Sequence, residues 1–279
     1  MKGAIFHTGK AGHVTSLLYN DTGTQVIGIT TESGSTFYAD KVVLCTGSWT
    51  NSLIDTKGQL VPKGHCLGHI QLTHEEYARF HKMPVVDDQK WNIYYFPPFE
   101  DNGIMKIAAL SSGYTIKGEP RTQSDYPDDG IPKEAEEHLR RGMRASIPSL
   151  AEKEMFDTRV CWDVQTPDEH YLISPHPDIS ALYLATGGTS PPPKSGVDSI
   201  GSGHGFKFLP RIGYYIALML EGTLPAEFAE KWKWRPGQKW REHPHTERTL
   251  EGKDFEETER WAYSAHHGPM AHTWGNPPG

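Results

Sequence analysis

Short apolar runs alternate with clusters of turn formers through the first part of the chain. Val14–Tyr19, Gln25–Thr30 and Thr36–Ala39 are separated by Asn20-Asp21-Thr22-Gly23 and Ser33-Gly34-Ser35. Such spacing predicts a three-stranded antiparallel meander. Lys41-Val42-Val43-Leu44-Cys45-Thr46-Gly47 follows. Its apolar part is continuous rather than alternating, which predicts a buried parallel strand. A glycine at the end of such a strand, Gly47, lets a ligand come close to the backbone.

Residues 48–58 read as a turn-rich connection, and Leu60–Leu72 as a long strand with Pro62 near its start. His74–Lys82 is predicted to be a short helix. Trp91–Phe96 and Ile104–Leu110 are predicted to pair around the turn Glu100-Asp101-Asn102-Gly103. Lys106 lies inside the second of these strands, either on the solvent face or as a buried cation with a task. Tyr126–Gly130 reads as a turn and Pro132 as the start of a helix running to Ala145. Phe156–Val164, Tyr171–Ser174 and Ala181–Thr186 are predicted strands, the last running into Gly187-Gly188. Phe206–Leu220 is a predicted apolar helix stopped by Gly222. The order implies a mixed α/β (α+β) fold, with a sheet-rich domain inserted between two pieces of an α/β domain.

Composition narrows the function classes. The 279 residues carry a formal net charge of -7, which opposes nonspecific nucleic-acid binding, because that needs basic surface to displace counterions. No apolar run approaches the roughly 20 residues that span a bilayer, and no signal-peptide pattern opens the chain. Cys45, Cys66 and Cys161 are too few and too scattered for a disulfide framework. A reducing, intracellular and cytoplasmic setting is therefore expected. His65, Cys66 and His69 invite a metal site, but successive strand residues point to opposite faces, so structural packing is favoured. His243, His245, His266, His267 and His272 show no regular ligand spacing, and residues 237–279 are expected to form a polar, disordered tail. A serine hydrolase is disfavoured: no GxSxG elbow occurs, and Gly203-His204-Gly205 lacks a nucleophile.

Four segments carry a more specific signal. They are Arg159-Val160-Cys161-Trp162-Asp163 with Thr166-Pro167-Asp168, Leu184-Ala185-Thr186-Gly187-Gly188, Ser202-Gly203-His204-Gly205-Phe206-Lys207-Phe208-Leu209-Pro210, and Trp232-Lys233-Trp234-Arg235-Pro236. In this order they resemble the FAD-dependent amine oxidases of the sarcosine oxidase and fructosyl amino acid oxidase (amadoriase) group, in the D-amino acid oxidase superfamily. The resemblance implies a partial FAD-binding, Rossmann-type domain at 1–58 and 178–236, with a mixed-sheet substrate domain at 59–177. It implies FAD as cofactor, a small-molecule amine and oxygen as reactants, and covalent attachment of the flavin through Cys161. Lys106 matches the lysine that assists the reaction of reduced flavin with oxygen. Lys207 matches the one that binds the substrate carboxylate. Gly47, Gly187, Gly188, Gly203, His204, Gly205 and Phe206 would bring backbone close to the flavin. The implied reaction oxidises the C–N bond of a secondary amine or N-substituted amino acid to an imine, with release of hydrogen peroxide.

Three departures from the family pattern qualify this. No GxGxxG turn precedes residue 47, so the chain is expected to be N-terminally truncated. Residues 189–201 interrupt the family's junction between Gly188 and Ser202, as an untrimmed segment or as a flexible loop at the flavin. Ala109 and Leu110 stand where fructosyl amino acid oxidases tend to carry an acidic pair, which weighs against fructosyl-amine specificity. An inactive remnant that binds no flavin is the alternative.

Overall fold

The structure, a computed structural model, describes residues 3–88, 90–109, 113–122, 126, 129–187, 208–239 and 253–262. In chain order its elements are β1 (Val14–Tyr19), β2 (Val26–Thr31), β3 (Thr36–Tyr38), β4 (Val42–Leu44), α1 (Thr50–Leu53), β5 (Val61–Gln71), α2 (His74–Phe80), β6 (Val86–Asp88), β7 (Ile93–Tyr95), β8 (Ile104–Ala109), β9 (Asp129–Pro132), α3 (Lys133–Ser146), β10 (Met155–Gln165), β11 (Leu172–Pro175), β12 (Leu182–Thr186), α4 (Leu209–Leu220), α5 (Ala226–Trp232) and β13 (Arg260–Ala262). They form two compact units. Unit 1 comprises residues 1–61 and 164–241, and unit 2 residues 62–163 and 242–279. The sequence reading set these boundaries after residues 58 and 177; the chain passes between the units at Asp163 and Val164, within β10.

In unit 1, β1, β2 and β3 form the expected antiparallel meander. The apolar run before Gly47 forms β4, which pairs in parallel with β12, Leu182 opposite Val42 and Leu184 opposite Leu44. β11 pairs antiparallel with β12. One core gathers Leu17, Val26, Val42, Leu44, Leu60, Val164, Leu172, Leu182 and Leu184. A second, with Tyr171, Ile173, Met219 and Trp232, takes in the apolar sides of α4 and α5. Strand periodicity explains the division, since Leu172 and Ile173 face opposite ways. The Lys41 ammonium donates to the Leu220 carbonyl at 2.6 Å, satisfying an orphan acceptor at the C-terminal end of α4. α4 begins at Leu209, three residues after its predicted start, with Pro210 in the first turn; Phe206 and Lys207 lie outside the described residues.

In unit 2 a five-stranded sheet runs in the order β10-β5-β8-β7-β6. Its apolar face carries Ile93, Tyr95, Met105 and Ile107, each at most 3% exposed. α3 presents Ala135, Leu139, Gly142 and Met143, all buried, at the spacing that aligns residues on one side of a helix. The approach to the sheet is close: a Cβ on Gly142 would lie 2.4 Å from Ile93 Cδ1. α2 is opened by a capping box in which Thr73 and Glu76 satisfy each other's backbone amides. Within the stretch expected to be a disordered tail, residues 253–262 are folded. Phe255 is 2% exposed, lies edge-on to Trp162 at 5.6 Å and to Tyr114 at 6.2 Å, and β13 pairs with β9. Burial of one aromatic side chain outweighs the polarity of its neighbours.

Candidate active-site face

Register places Lys106. On β8 it stands opposite His69 of β5, while Ala108 stands opposite Leu67 of β5 and Tyr94 of β7. Paired residues share a face, so Tyr94, Lys106 and His69 lie together on the side of the sheet away from α3. The Phe96 amide donates to the Lys106 carbonyl at 3.3 Å, and the Lys106 ammonium lies 5.9 Å from the Phe96 ring centroid. Lys106 is half-buried on a polar face.

β10 brings Cys161 to this face. Cys66, adjacent to His65, is 2% exposed and turned the other way; its thiol is pushed up by burial. His65 faces Asp163 at 4.0 Å, and His69 faces Asp157 at 3.5 Å. Alternation along β10 puts Asp157, Arg159, Cys161 and Asp163 on one side. Arg159 holds Asp157 through Nε at 2.8 Å and Nη2 at 2.6 Å. Cys161 Sγ lies 3.9 Å from Asp163 Oδ1.

Electrostatics tie these groups to one another. Burial raises the Cys161 pKa, the Asp163 charge raises it further, and Lys106 opposes both. The Tyr94 phenol is pushed up to about 12, by burial first and then by Cys161, Asp163 and Asp87, so it remains a proton donor. Burial keeps His69 below its ordinary value against the pull of Asp157, with Lys106 and Arg159 acting in the same sense as burial. The His65, Cys66 and His69 stretch forms no metal cluster among the described residues. Lys63, also on β5, is 1% exposed, and burial lowers its ammonium to about 8.

Unit 1 holds the two other predicted site residues that are described. Gly47 has φ +52, with nothing within 4 Å of where its Cβ would stand. Gly187 has φ +78, and a Cβ there would lie 3.0 Å from Thr166 Cγ2 and 3.1 Å from the Leu172 amide nitrogen. Gly187 directly follows β12, whereas Gly47 lies three residues beyond the end of β4, where it opens a 3-10 turn. Gly188, Gly203, His204, Gly205, Phe206 and Lys207, like Leu110, the insert 189–201 and the five C-terminal histidines, lie outside the described residues. The structure brings Lys106 and Cys161 to one sheet face, and places Gly47 and Gly187 after the paired strands β4 and β12. Asp163, Tyr94 and Phe96 were not among the candidates. Alternation along β10 alone puts Asp163 beside Cys161, whereas Tyr94 and Phe96 are placed only once the strand order is known.

Comparison with known proteins decides the family. The model of the FAD dependent oxidoreductase family matches residues 2–219. The chain belongs to this family. Within it, the chain falls with the sarcosine oxidase and amadoriase group. It is 31% identical over 255 residues to the L-saccharopine oxidase of Schizosaccharomyces pombe, covering 85% of this chain and 55% of that protein. It is 30% identical to a monomeric sarcosine oxidase of Bacillus sp., covering 69% of this chain and 46% of that one. Among solved structures it is similar to a fructosyl peptide oxidase from E. terrenum, with TM-score 0.81 and 33% identity over 95% of this chain and 60% of that one. It is also similar to the fructosamine oxidase Amadoriase II of Aspergillus fumigatus, with TM-score 0.75 and 29% identity over 90% of this chain and 56% of that one. This member of the FAD dependent oxidoreductase family thus spans about half the length of these curated relatives. No helix among its described residues is long and apolar enough to cross a membrane.

Proposed function

We propose that the protein is an FAD-dependent oxidase of a secondary amine or N-substituted amino acid, turning the C–N bond into an imine and releasing hydrogen peroxide. The observation that carries this reading is the polar sheet face of unit 2, on which strand register and alternation put Lys106, His69, Asp163 and Cys161 together. Each unit, taken by itself, carries groups that suit a flavin cofactor. Cys161 is an exposed thiol on a face with a donor phenol and a cation. In unit 1, Gly47 leaves open space in the turn after β4, and the buried Thr186 hydroxyl, at the end of β12, has no hydrogen-bond partner among the described residues.

FAD, when bound, supplies the acceptor for the hydride and the route by which electrons reach oxygen. Cys161 would hold the isoalloxazine ring through a thioether. Gly47 would admit the cofactor to the backbone, while the space beside Gly187 is taken by Thr166 and Leu172. Lys106 would stabilise negative charge developing on oxygen, as any preorganised cation does in a site poor in water. Lys207, by its match to the family, would hold the substrate carboxylate as a point cation. The small side chain of Ala109 and the apolar Leu110 favour an amino-acid substituent over a fructosyl one.

The test is rapid mixing with a panel of sarcosine, saccharopine and a fructosyl amino acid, first without oxygen and then with it. One of these amines should bleach the flavin. Lys106→Met should slow the reaction with oxygen by about 100-fold, the scale seen when one electrostatic stabiliser is removed, and leave the anaerobic step within about threefold. Bleaching by none of the amines, or an unchanged oxygen reaction in the variant, contradicts the reading.

A further inference from the structure

The oxidase reaction leaves Asp163 without a task, although it touches the thiol. We infer that Asp163 takes the Cys161 proton as the flavin tether forms, which makes it the base for attachment. The inference rests on the reading of Cys161 as tether and deepens it.

The Asp163 carboxylate is held in place. Oδ1 lies 3.9 Å from Cys161 Sγ, and Oδ2 lies 4.0 Å from His65 Nε2. A Cβ on Gly113 would lie 3.3 Å from His65 Cε1 and 3.4 Å from Lys63 Cδ, so the chain at Gly113 packs over both side chains. Among the described residues, the charged and titratable groups on this face are Asp157, Arg159 and Asp163 on the strand of Cys161, Lys63, His65 and His69 on β5, Lys106 on β8, Tyr94 on β7 and Asp87 opposite it on β6. Arg159 and His69 are engaged with Asp157. Lys106 is a cation, and Tyr94 holds its proton to about pH 12. Asp163 is the carboxylate within reach of Sγ.

Burial and the Asp163 charge both raise the thiol pKa, so the resting thiol is protonated at neutral pH, whereas the reacting species is the thiolate. The proton must leave as the bond forms, and a carboxylate already in contact can receive it. The balance is closed. One S–H and one C–H of the ring system are lost, one S–C bond forms, and two electrons with two protons pass to dioxygen as hydrogen peroxide. Asp163 carries the thiol proton on its way out.

Removing the charge separates two roles. A carboxylate that only repels the thiolate slows attachment, so Asp163→Asn would then speed it. A carboxylate that accepts the proton makes the same variant slower. The experiment reconstitutes the full chain with FAD and follows the fraction of polypeptide that keeps flavin after denaturation, against time and pH. Alkylation of Cys161 by iodoacetamide without FAD gives the thiol titration. The expected result for Asp163→Asn is a thiol that titrates at lower pH yet attaches flavin at least about tenfold more slowly at pH 7, within the usual range for a general base. The deficit should close as the pH passes the thiol's own titration, and Asp163→Glu or added formate should restore part of the rate. Should the Asn variant not fold, Asp163→Ser is read in the same way. Attachment as fast as wild type, or faster, overturns the inference while leaving the tether intact. Absence of covalent flavin from the wild type overturns the tether and the inference with it.

Discussion

Arg235, in the Trp-Lys-Trp-Arg-Pro run, is 7% exposed. Its guanidinium grips Asp168 through Nε and Nη2, both at 2.7 Å, and also donates to the carbonyls of His170 and Lys233, while its backbone amide donates to Gln59. The grip holds the Thr166–His170 loop, which packs against Gly187. Burial alone would raise the Asp168 carboxyl, but the Arg235 hydrogen bond and charge outweigh it and hold it below the usual carboxylate range. Such a pair contributes stability that is complete above the ordinary carboxylate pKa and is lost as the pH falls through the lowered one. Arg235→Lys is expected to cost about 3 kcal/mol at pH 7, because a point cation cannot reproduce the fork and leaves a partly buried carboxylate under-paired. Denaturant melts at pH 7 and pH 3 should show the deficit shrinking at the lower pH. An equal deficit at both would place the effect in packing rather than charge. At this scale the sequence singled out Cys161 and Gly187 in segments that resemble the family, Gly47 by a strand-end Thr-Gly, and Lys106 by its match to a family lysine. It did not mark Tyr94, which reaches this face through pairing of strands distant in sequence, nor Asp163, although that residue stands two positions from Cys161 on the same strand.

At the scale of elements, apolar periodicity was a good guide where the burial was one-sided or complete. The meander, β4, β5, β8, β10, β12, α2 and α3 lie where the pattern puts them, within a few residues at the ends. The pattern did not show β6, β9, α1, α5 or β13, each seven residues or fewer. Elements this short offer too few positions for a period to register, and tertiary pairing forms them instead. Phe255 shows the same for the C-terminal stretch: one aromatic anchor against Trp162 and Tyr114 orders a segment whose composition reads as disordered. α3 gives the sharpest test of packing. Gly142 is buried where the helix crosses Ile93 of the sheet. Alanine favours a helix interior by about 1 kcal/mol, but the 2.4 Å approach to Ile93 requires that side chain or the helix to move. Gly142→Ala is therefore expected to destabilise by about 1–3 kcal/mol, the usual cost of overpacking, measured by thermal or urea unfolding. A stabilised variant would contradict this account of how α3 seats on the sheet.

For the whole molecule, the fold and the family agree with the reading that four short segments in one order suggested. The central claim is that this chain carries a flavin on Cys161. It is tested most directly by purifying the full chain, denaturing it, and asking where the yellow colour goes. The account predicts that wild type keeps its flavin absorbance and fluorescence on the denatured polypeptide. Cys161→Ser should release the flavin to the supernatant. A native protein without colour, or a wild type that gives up all its flavin on denaturation, would contradict it.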